Sequence, residues 1–545
     1  MTLFEQILTA RGLTTRAARQ AFLQPDYMAV KHNPFLLPDM KKAVARLKRA
    51  REQGEKIVIY GDYDIDGLSA TALLLDAFGK FGFEDVDAFI PNRFVEGYGM
   101  TMGAVDKVRD MGADLIVTVD TGSLCHAEIA YAASLGIDTV VTDHHNVAET
   151  PPPSVAAVNP KFPGHTYPFR DLCGAGVAFK LVQALQTELD GLPDGYEKWL
   201  LDLVALGTVC DIVTLADENR ANVYWGLEVL KKQQRPGLKA LMTVAGIEPE
   251  RVNARHLGFG LGPRMNAAGR LETAQHALDM LVARDGLAAL EASEKLEELN
   301  VKRRIIQDAI FEEACVQAEQ LADDRVLVVS SDGWNHGVIG IVASKLVEKY
   351  KKPVFIIGER GEEATGSARS FGDFSAADAV RAADDIIIKG GGHGAAAGVT
   401  LGTEKIGDFR RRVNEFYDSL QLTSQERYLL PRADVEIDDF SEIDEELAAN
   451  LAKMEPFGNG NPEPVLKITR ASVLSMRRMG ADGQHVKLAL RDKNGKVLQM
   501  LAFNAPEEFF REPGDEVVAW FQPTVNEWQG VRTVEGRLLH IILLD

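Results

Sequence analysis

From Lys56 onward, short apolar runs alternate with longer stretches in which apolar and small residues recur at helical spacing. The runs KIVIY, VDAFI, LIVTV and TVVT read as buried strands, with helices between them. This βαβ repetition predicts an α/β domain built on a parallel, doubly wound sheet with right-handed crossovers. WLLDLVALGTVCDIVTL reads as a buried helix ending near Asp211. The residues before Lys56 read as short helices broken at Leu37-Pro38, one of them the basic run MKKAVARLKRAREQ, and are expected to cover the first domain. Leu287, Leu290, Leu296, Leu299, Ile306 and Ile310 recur at helical spacing and predict one long helix joining two lobes. Its heptads are too irregular for a coiled-coil seam. RVLVVS and PVFIIG open a second, smaller α/β unit. Beyond Leu430 the pattern changes to five alternating strands, VLKITRASVLSM, HVKLALRD, VLQMLAFN, EVVAWFQP and RTVEGRLLHIIL, which fit an OB-type β-barrel. The expected domains are residues 1–55 (N-terminal helical cover), 56–285 (first α/β domain), 286–324 (connecting helix), 325–429 (second α/β domain) and 430–545 (barrel).

A chain of 545 residues has room for these domains, but its formal net charge of −20 excludes a broad basic surface for nucleic acid. A phosphate-rich substrate would have to be held by metal ions and a few local arginines. Much of the acid is concentrated in DVEIDDFSEIDEE, Asp434–Glu446, which is expected to face away from any such substrate. No apolar run reaches the length of a membrane span, and the N-terminus MTLFEQILTARGL lacks the apolar core of a signal peptide. Cys125, Cys173, Cys210 and Cys315 are scattered and form no CxxC pair, which points to a reducing cytoplasm and away from a zinc ribbon.

The chemistry concentrates at strand ends. Asp62, Asp64 and Asp66 follow the first strand, at the edge where open α/β sheets bind ligands. Carboxylates packed this closely repel one another, and a divalent cation is the simplest compensation. The same turn has no GxGxxG, so it offers no backbone cradle for a dinucleotide pyrophosphate. LIVTV runs into Asp120-Thr121-Gly122, TVVT into Asp143-His144-His145, and the buried helix ends at Asp211. A solvated acidic turn would account for one of these groups but not for the series.

DYDIDG, the DTG after a strand, the DHH triplet and GTVCD resemble the four motifs of the DHH phosphoesterase superfamily. GLGPRMNAAGRL (Gly260–Leu271), GWNHGVIGIVASKL (Gly333–Leu346), GSARS (Gly366–Ser370), GGGHGAAAG (Gly390–Gly398) and EPFGNGNPEP (Glu455–Pro464) extend the likeness to its RecJ branch, bacterial exonucleases specific for single-stranded DNA. Ser123 after DTG departs from the isoleucine commoner there. The resemblance implies a DHH domain, a DHH-associated domain that closes over the site, and the OB-type barrel. It implies two metal ions, with Asp120 bridging, Asp64 and Asp62 on one, and Asp66, His144 and Asp211 on the other. The oxygen-rich set with one imidazole favours Mn²⁺ or Mg²⁺. Catalytic duties then fall to Asp64, Asp66, Asp120, His144, His145 and Asp211. His145 either touches the scissile phosphate and leaving oxygen or orients the ligands. Arg93, Arg264, Arg270, Ser367, Arg369 and His393 are the expected substrate contacts, with Ser367 and Arg369 in a pocket for a terminal phosphate.

The implied activity is 5′→3′ degradation of single-stranded DNA to 5′-mononucleotides in repair and recombination, by a cytoplasmic monomer with a helicase or single-strand-binding protein as partner and no membrane. A phosphodiesterase for oligoribonucleotides or cyclic dinucleotides would lack the barrel, and a non-catalytic single-stranded-DNA-binding scaffold would have lost ligands. Phe503, Trp520, Phe521 and Trp528 are candidate stacking surfaces or barrel core. Removing the barrel from Leu430 onward is expected to spare cleavage of the shortest substrates.

Overall fold

Ile57–Gly61 (β1) is buried along its whole length, as a central strand covered on both faces must be. In the computed structural model it pairs in parallel with Val86–Phe89 (β2) on one side and Leu115–Val119 (β3) on the other. Asp138–Thr142 (β4) and Ala156–Val158 (β5) complete a sheet of order β2-β1-β3-β4-β5. The order reverses between β1 and β3, so the crossovers diverge there and leave a crevice at the carboxyl ends of the strands. Helices Ile65–Phe81 and Gly174–Leu185, both almost wholly buried, cover the sheet beside that crevice. The expected parallel, doubly wound domain is present.

The structure describes residues 1–97, 99–422, 428–528 and 530–544, the side chain of Trp528 excepted. These fall into two compact units, Met1–Gly262 with Met280–Ala289 and Pro431–Asp545, and Pro263–Asp279 with Leu290–Leu430. The long helix appears as Gly286–Gln320. The second unit carries Leu327–Asp332 (β6), Val354–Arg360 (β7), Glu363–Arg369 (β8), Lys389–His393 (β9) and Ala396–Gly402 (β10), in the order β6-β7-β8-β10-β9.

In the first unit, Val435–Ile437 (β11) lies beside a barrel made of Leu466–Met479 (β12), His485–Arg491 (β13), Val497–Ala502 (β14), Glu516–Trp528 (β15) and Val531–Leu543 (β16). The β12–β15 pairing closes five strands, and only β14 and β16 run parallel among them. The barrel core includes Phe521, and Trp520 is also buried, so neither is a stacking platform. Phe503 is 66% exposed, and the Trp528 side chain lies outside the described residues.

The N-terminal helices divide their packing. Leu3, Ile7 and Leu8 belong to the core of the barrel, whereas Met40–Gln53 packs on β5 and Gly174–Leu185 of the first domain. The acidic run is partly spent inside its own unit. Asp434 forms a bidentate pair with Arg11, Asp438 accepts from Thr469, and Asp444 caps helix Glu445–Ala452.

Candidate metal centre and phosphate site

Three strand ends and one helix end deliver the acidic and imidazole groups to one place. Asp64 is the N-cap of Ile65–Phe81 and accepts from the amides of Asp66 and Gly67 at 2.9 and 3.1 Å. Asp66, one residue into the helix, is fully enclosed and accepts from Gly174 and Ala175 amides at 2.5 and 2.9 Å. Those amides begin a second helix, whose N-terminal dipole suits a carboxylate. Asp120 follows β3 in the left-handed region, φ +61°, an uncommon conformation that clusters at functional sites.

The imidazole of His144 sits among the carboxylates. Its Nε2 is 3.0 Å from Asp120 Oδ1, 3.6 Å from Asp211 Oδ2 and 3.8 Å from Asp66 Oδ2. Three sets have ligand atoms within 4.8 Å of one another: Asp62 with Asp64 and Asp120, Asp66 with His144 and Asp211, and Asp120 with His144 and His145. Asp62 Oδ1, Asp120 Oδ1 and His144 Nε2 are buried and make no hydrogen bond. Buried polar atoms are nearly always satisfied, so orphaned atoms on three members of these sets mark a place for a further partner.

The electrostatics agree. Burial, then the neighbouring carboxylates, push Asp62 up to about 7, Asp66 to about 6, Asp211 to about 8 and Asp120 well above its ordinary range. Burial and the adjacent His145 push His144 down to about 3, which leaves its ring neutral and able to ligate. The residues therefore fit a pair of hard divalent cations, which would neutralise the carboxylates and use the orphaned atoms. These are the residues that the family resemblance implied as ligands.

Three supporting sets of contacts surround the ligands. Asp143 is buried and accepts from the amides of Ser123, His144 and His145 and from His145 Nδ1 at 2.9 Å. Burial alone would raise Asp143, but the His145 hydrogen bond and charge outweigh it and hold the carboxyl well below its ordinary range. The same contact holds His145 at about 9 against the opposing effect of burial. Asn159, at the end of β5, donates to Ser123 Oγ at 2.8 Å and to the His145 carbonyl at 2.9 Å, so the unusual serine is tied into the histidine loop. Gly174 and Gly207 allow the closest approach: a Cβ on Gly174 would lie 2.7 Å from Asp120 Oδ1, and one on Gly207 would collide with Asp66.

Arg93 shares the first unit. Its guanidinium lies 4.4 Å over the Tyr63 ring, next to Asp62, and its buried Nε makes no hydrogen bond. The other expected substrate contacts belong to the second unit. There Arg369 bonds Ser367 Oγ at 3.2 Å and the Ala368 carbonyl at 2.8 Å, and burial pushes its guanidinium down. A Cβ on Gly340 would stand 3.0 Å from Ser367 Oγ and 3.3 Å from Arg369 Nη2, while Arg270 Nη1 donates to the Gly337 carbonyl at 2.8 Å. Two arginines and a serine thus meet the N-terminal turn of helix Ile339–Tyr350, a natural anion site. Register places His393 and Arg369 opposite the same residue, Ala396, from the strands on either side. Arg264 differs, because Glu297 already holds it at 2.5 Å.

The chain matches the DHH family N-terminal domain over residues 56–208, the DHHA1 domain over 323–419 and the RecJ OB domain over 433–540. It is 39% identical over 533 residues to the single-stranded-DNA-specific exonuclease RecJ of Bacillus subtilis, covering 96% of this chain and 66% of that one. It is 34% identical to the RecJ of Salmonella typhimurium, covering 92% and 89% of the respective chains. The crystal structure of Thermus thermophilus RecJ in complex with Mn²⁺ superposes with a TM-score of 0.83 at 30% identity, over 99% of this chain and 76% of that one. The Mg²⁺ complex of the same protein gives 0.76 at 28% identity, over 98% and 74%. The chain belongs to the RecJ family of single-stranded-DNA-specific exonucleases.

Proposed function

We propose that this chain is a metal-dependent exonuclease that degrades single-stranded DNA from its 5′ end and releases 5′-mononucleotides. The observation that carries the reading is the trio of buried, unpartnered ligand atoms on Asp62, Asp120 and His144 at the sheet's switch point. Asp62 and Asp64 would hold one ion, Asp66, His144 and Asp211 the other, and Asp120 both. Bound there, two such ions supply a nucleophilic water at neutral pH and neutralise charge developing on the phosphoryl oxygens.

The protein's own groups do the rest. Asp64 and Asp66 are immobilised by backbone amides, so the carboxylates need no reorganisation during the reaction. The hydrogen bond to Asp143 raises His145 to about 9 against the opposing effect of burial, and its side chain is 40% exposed. Those two properties suit a donor to the scissile phosphate or the leaving oxygen. Ser367, Arg369 and Arg270 suit the terminal phosphate of a 5′ end, because a doubly charged group rewards a bidentate guanidinium and a helix N-terminus together. The barrel gives the strand a surface beyond the cut, which a phosphodiesterase for dinucleotides would not need.

Strand degradation of this kind serves DNA repair and recombination. Four free cysteines suit a reducing cytoplasm. Among the described residues no helix is long and apolar enough to cross a membrane. The deciding experiment uses the purified chain with Mn²⁺ on single strands labelled at either end. Early release of the 5′ label as a mononucleotide is expected; early release of the 3′ label would reverse the polarity.

A further inference from the structure

Asp211 follows the last turn of helix Leu201–Cys210, and the chain leaves it through Ile212 at φ +60°. A β-branched residue in the left-handed region is strained and persists only where its surroundings over-determine it. What fixes it comes from a turn 247 residues further along the chain. Asn459 Nδ2 donates to the Ile212 carbonyl at 2.8 Å, and the Asn459 carbonyl accepts from the Leu215 amide at 2.8 Å. The two bonds bracket residues 212–215, immediately after the carboxylate that faces His144.

The glycines on either side of Asn459 permit this contact. A Cβ on Gly458 would lie 2.7 Å from Leu215 Cδ1, and one on Gly460 would lie 2.7 Å from Thr214 Cγ2. Gly460 also requires φ +76°. The turn is itself anchored from behind. Asn461 donates to the carbonyls of Met454 and Pro456, and the buried Arg220 donates to those of Met454, Glu455 and Pro456. Ile212 and Asn459 are both exposed, so burial of apolar surface does not explain why they meet.

We propose that Asn459, in the Glu455–Pro464 turn that leads into the barrel, is a positioning residue for the metal centre. By holding Ile212 left-handed it fixes the direction in which Asp211 presents its carboxylate. The proposal rests on reading Asp211 as a metal ligand. It assigns the GNGN segment to the metal site and not to the strand-binding surface. A plain packing staple between the two domains would affect melting and leave ion affinity alone.

The test titrates the metal-free full-length chain with Mn²⁺ and follows free Mn²⁺ by electron paramagnetic resonance. Asn459→Ala is expected to weaken Mn²⁺ binding by ~10-fold, the lower end of what losing an outer partner of a ligand costs. Asn459→Asp keeps the shape but loses the donor, and should behave the same way. Ile212→Asn tolerates the left-handed region, so adding it to Asn459→Ala should restore most of the affinity. Unchanged affinity in both Asn459 variants, beside a clear loss in Asp211→Ala, overturns the proposal alone. A loss that Ile212→Asn does not rescue also overturns it. Unchanged affinity in Asp211→Ala instead removes the ligand reading on which the proposal stands.

Discussion

Nε2 of His144 stands 3.0 Å from Oδ1 of Asp120, and neither buried atom makes a hydrogen bond. Two unsatisfied polar atoms at this distance are tolerable only if something else binds both. Asp120→Ala should therefore cost more than one ligand. It is expected to reduce the Mn²⁺-dependent rate on single-stranded DNA by more than ~100-fold, beyond what loss of an outer partner costs. The fold should survive, because the variant also removes a fully buried carboxylate from a repelling cluster. Circular dichroism checks the fold and a labelled-strand assay the rate. Near-normal activity would remove Asp120 from the shared position.

Arg369 has Ser367 and a backbone carbonyl as partners, whereas Arg264 has a carboxylate. Arg369 is therefore the better anion receptor. Arg369→Ala should lower the rate ratio of 5′-phosphorylated to 5′-hydroxyl strands by ~10-fold or more, since hydrogen bonds to charged groups contribute ~1.5–3 kcal/mol. Arg264→Ala should change that ratio much less. Equal effects from the two substitutions would dissolve the distinction.

Arg220 donates to the carbonyls of Phe22, Met454, Glu455 and Pro456, and its guanidinium lies 3.7 Å from the centre of the Phe22 ring. One buried side chain thus ties the first domain to the N-terminal helices and to the turn before the barrel. Arg220→Ala would strand those carbonyls and should destabilise by ~2–4 kcal/mol, read as a lower thermal midpoint. The same contacts oppose the expectation that a chain ending near Leu430 would keep its activity on the shortest substrates. That truncation removes three of the four carbonyl partners of Arg220, the Asn459 bonds and the core around Leu3, Ile7 and Leu8 together. Loss of dinucleotide cleavage is expected. A truncation with full dinucleotide activity would contradict it.

These differences show what a sequence makes legible. Asp62, Asp66, Asp120 and His144 could be read because strand ends in a parallel sheet converge, and the apolar runs marked those ends. Asn159 and Asn459 could not, because each acts through a backbone carbonyl brought near by tertiary folding. Gly174 and Gly207 matter for the side chain they leave out, a property with no periodicity. Leu3, Ile7 and Leu8 have the spacing of any amphipathic helix, and nothing local names the barrel as their partner.

The barrel's aromatic residues separate by burial, and this yields the last prediction. Phe521 is fully buried in the core, so Phe521→Ala should destabilise by ~3–5 kcal/mol through the cavity it leaves. Phe503 lies just beyond β14, 66% exposed, in a T-shaped pair with His485 whose ring centres are 5.2 Å apart. A ring this exposed offers surface on which a base can stack, and stacking is worth ~1–3 kcal/mol per base. Phe503→Ala should therefore weaken binding of long single strands by ~5- to 150-fold without lowering the thermal midpoint. Strands too short to reach the barrel should be bound and cleaved as before, because the metal ligands are untouched. The measurement is affinity and steady-state rate across strands of graded length, for the full chain and the variant. A loss independent of length would mean that Phe503 supports the fold. No loss at any length would mean that the strand passes elsewhere on the barrel.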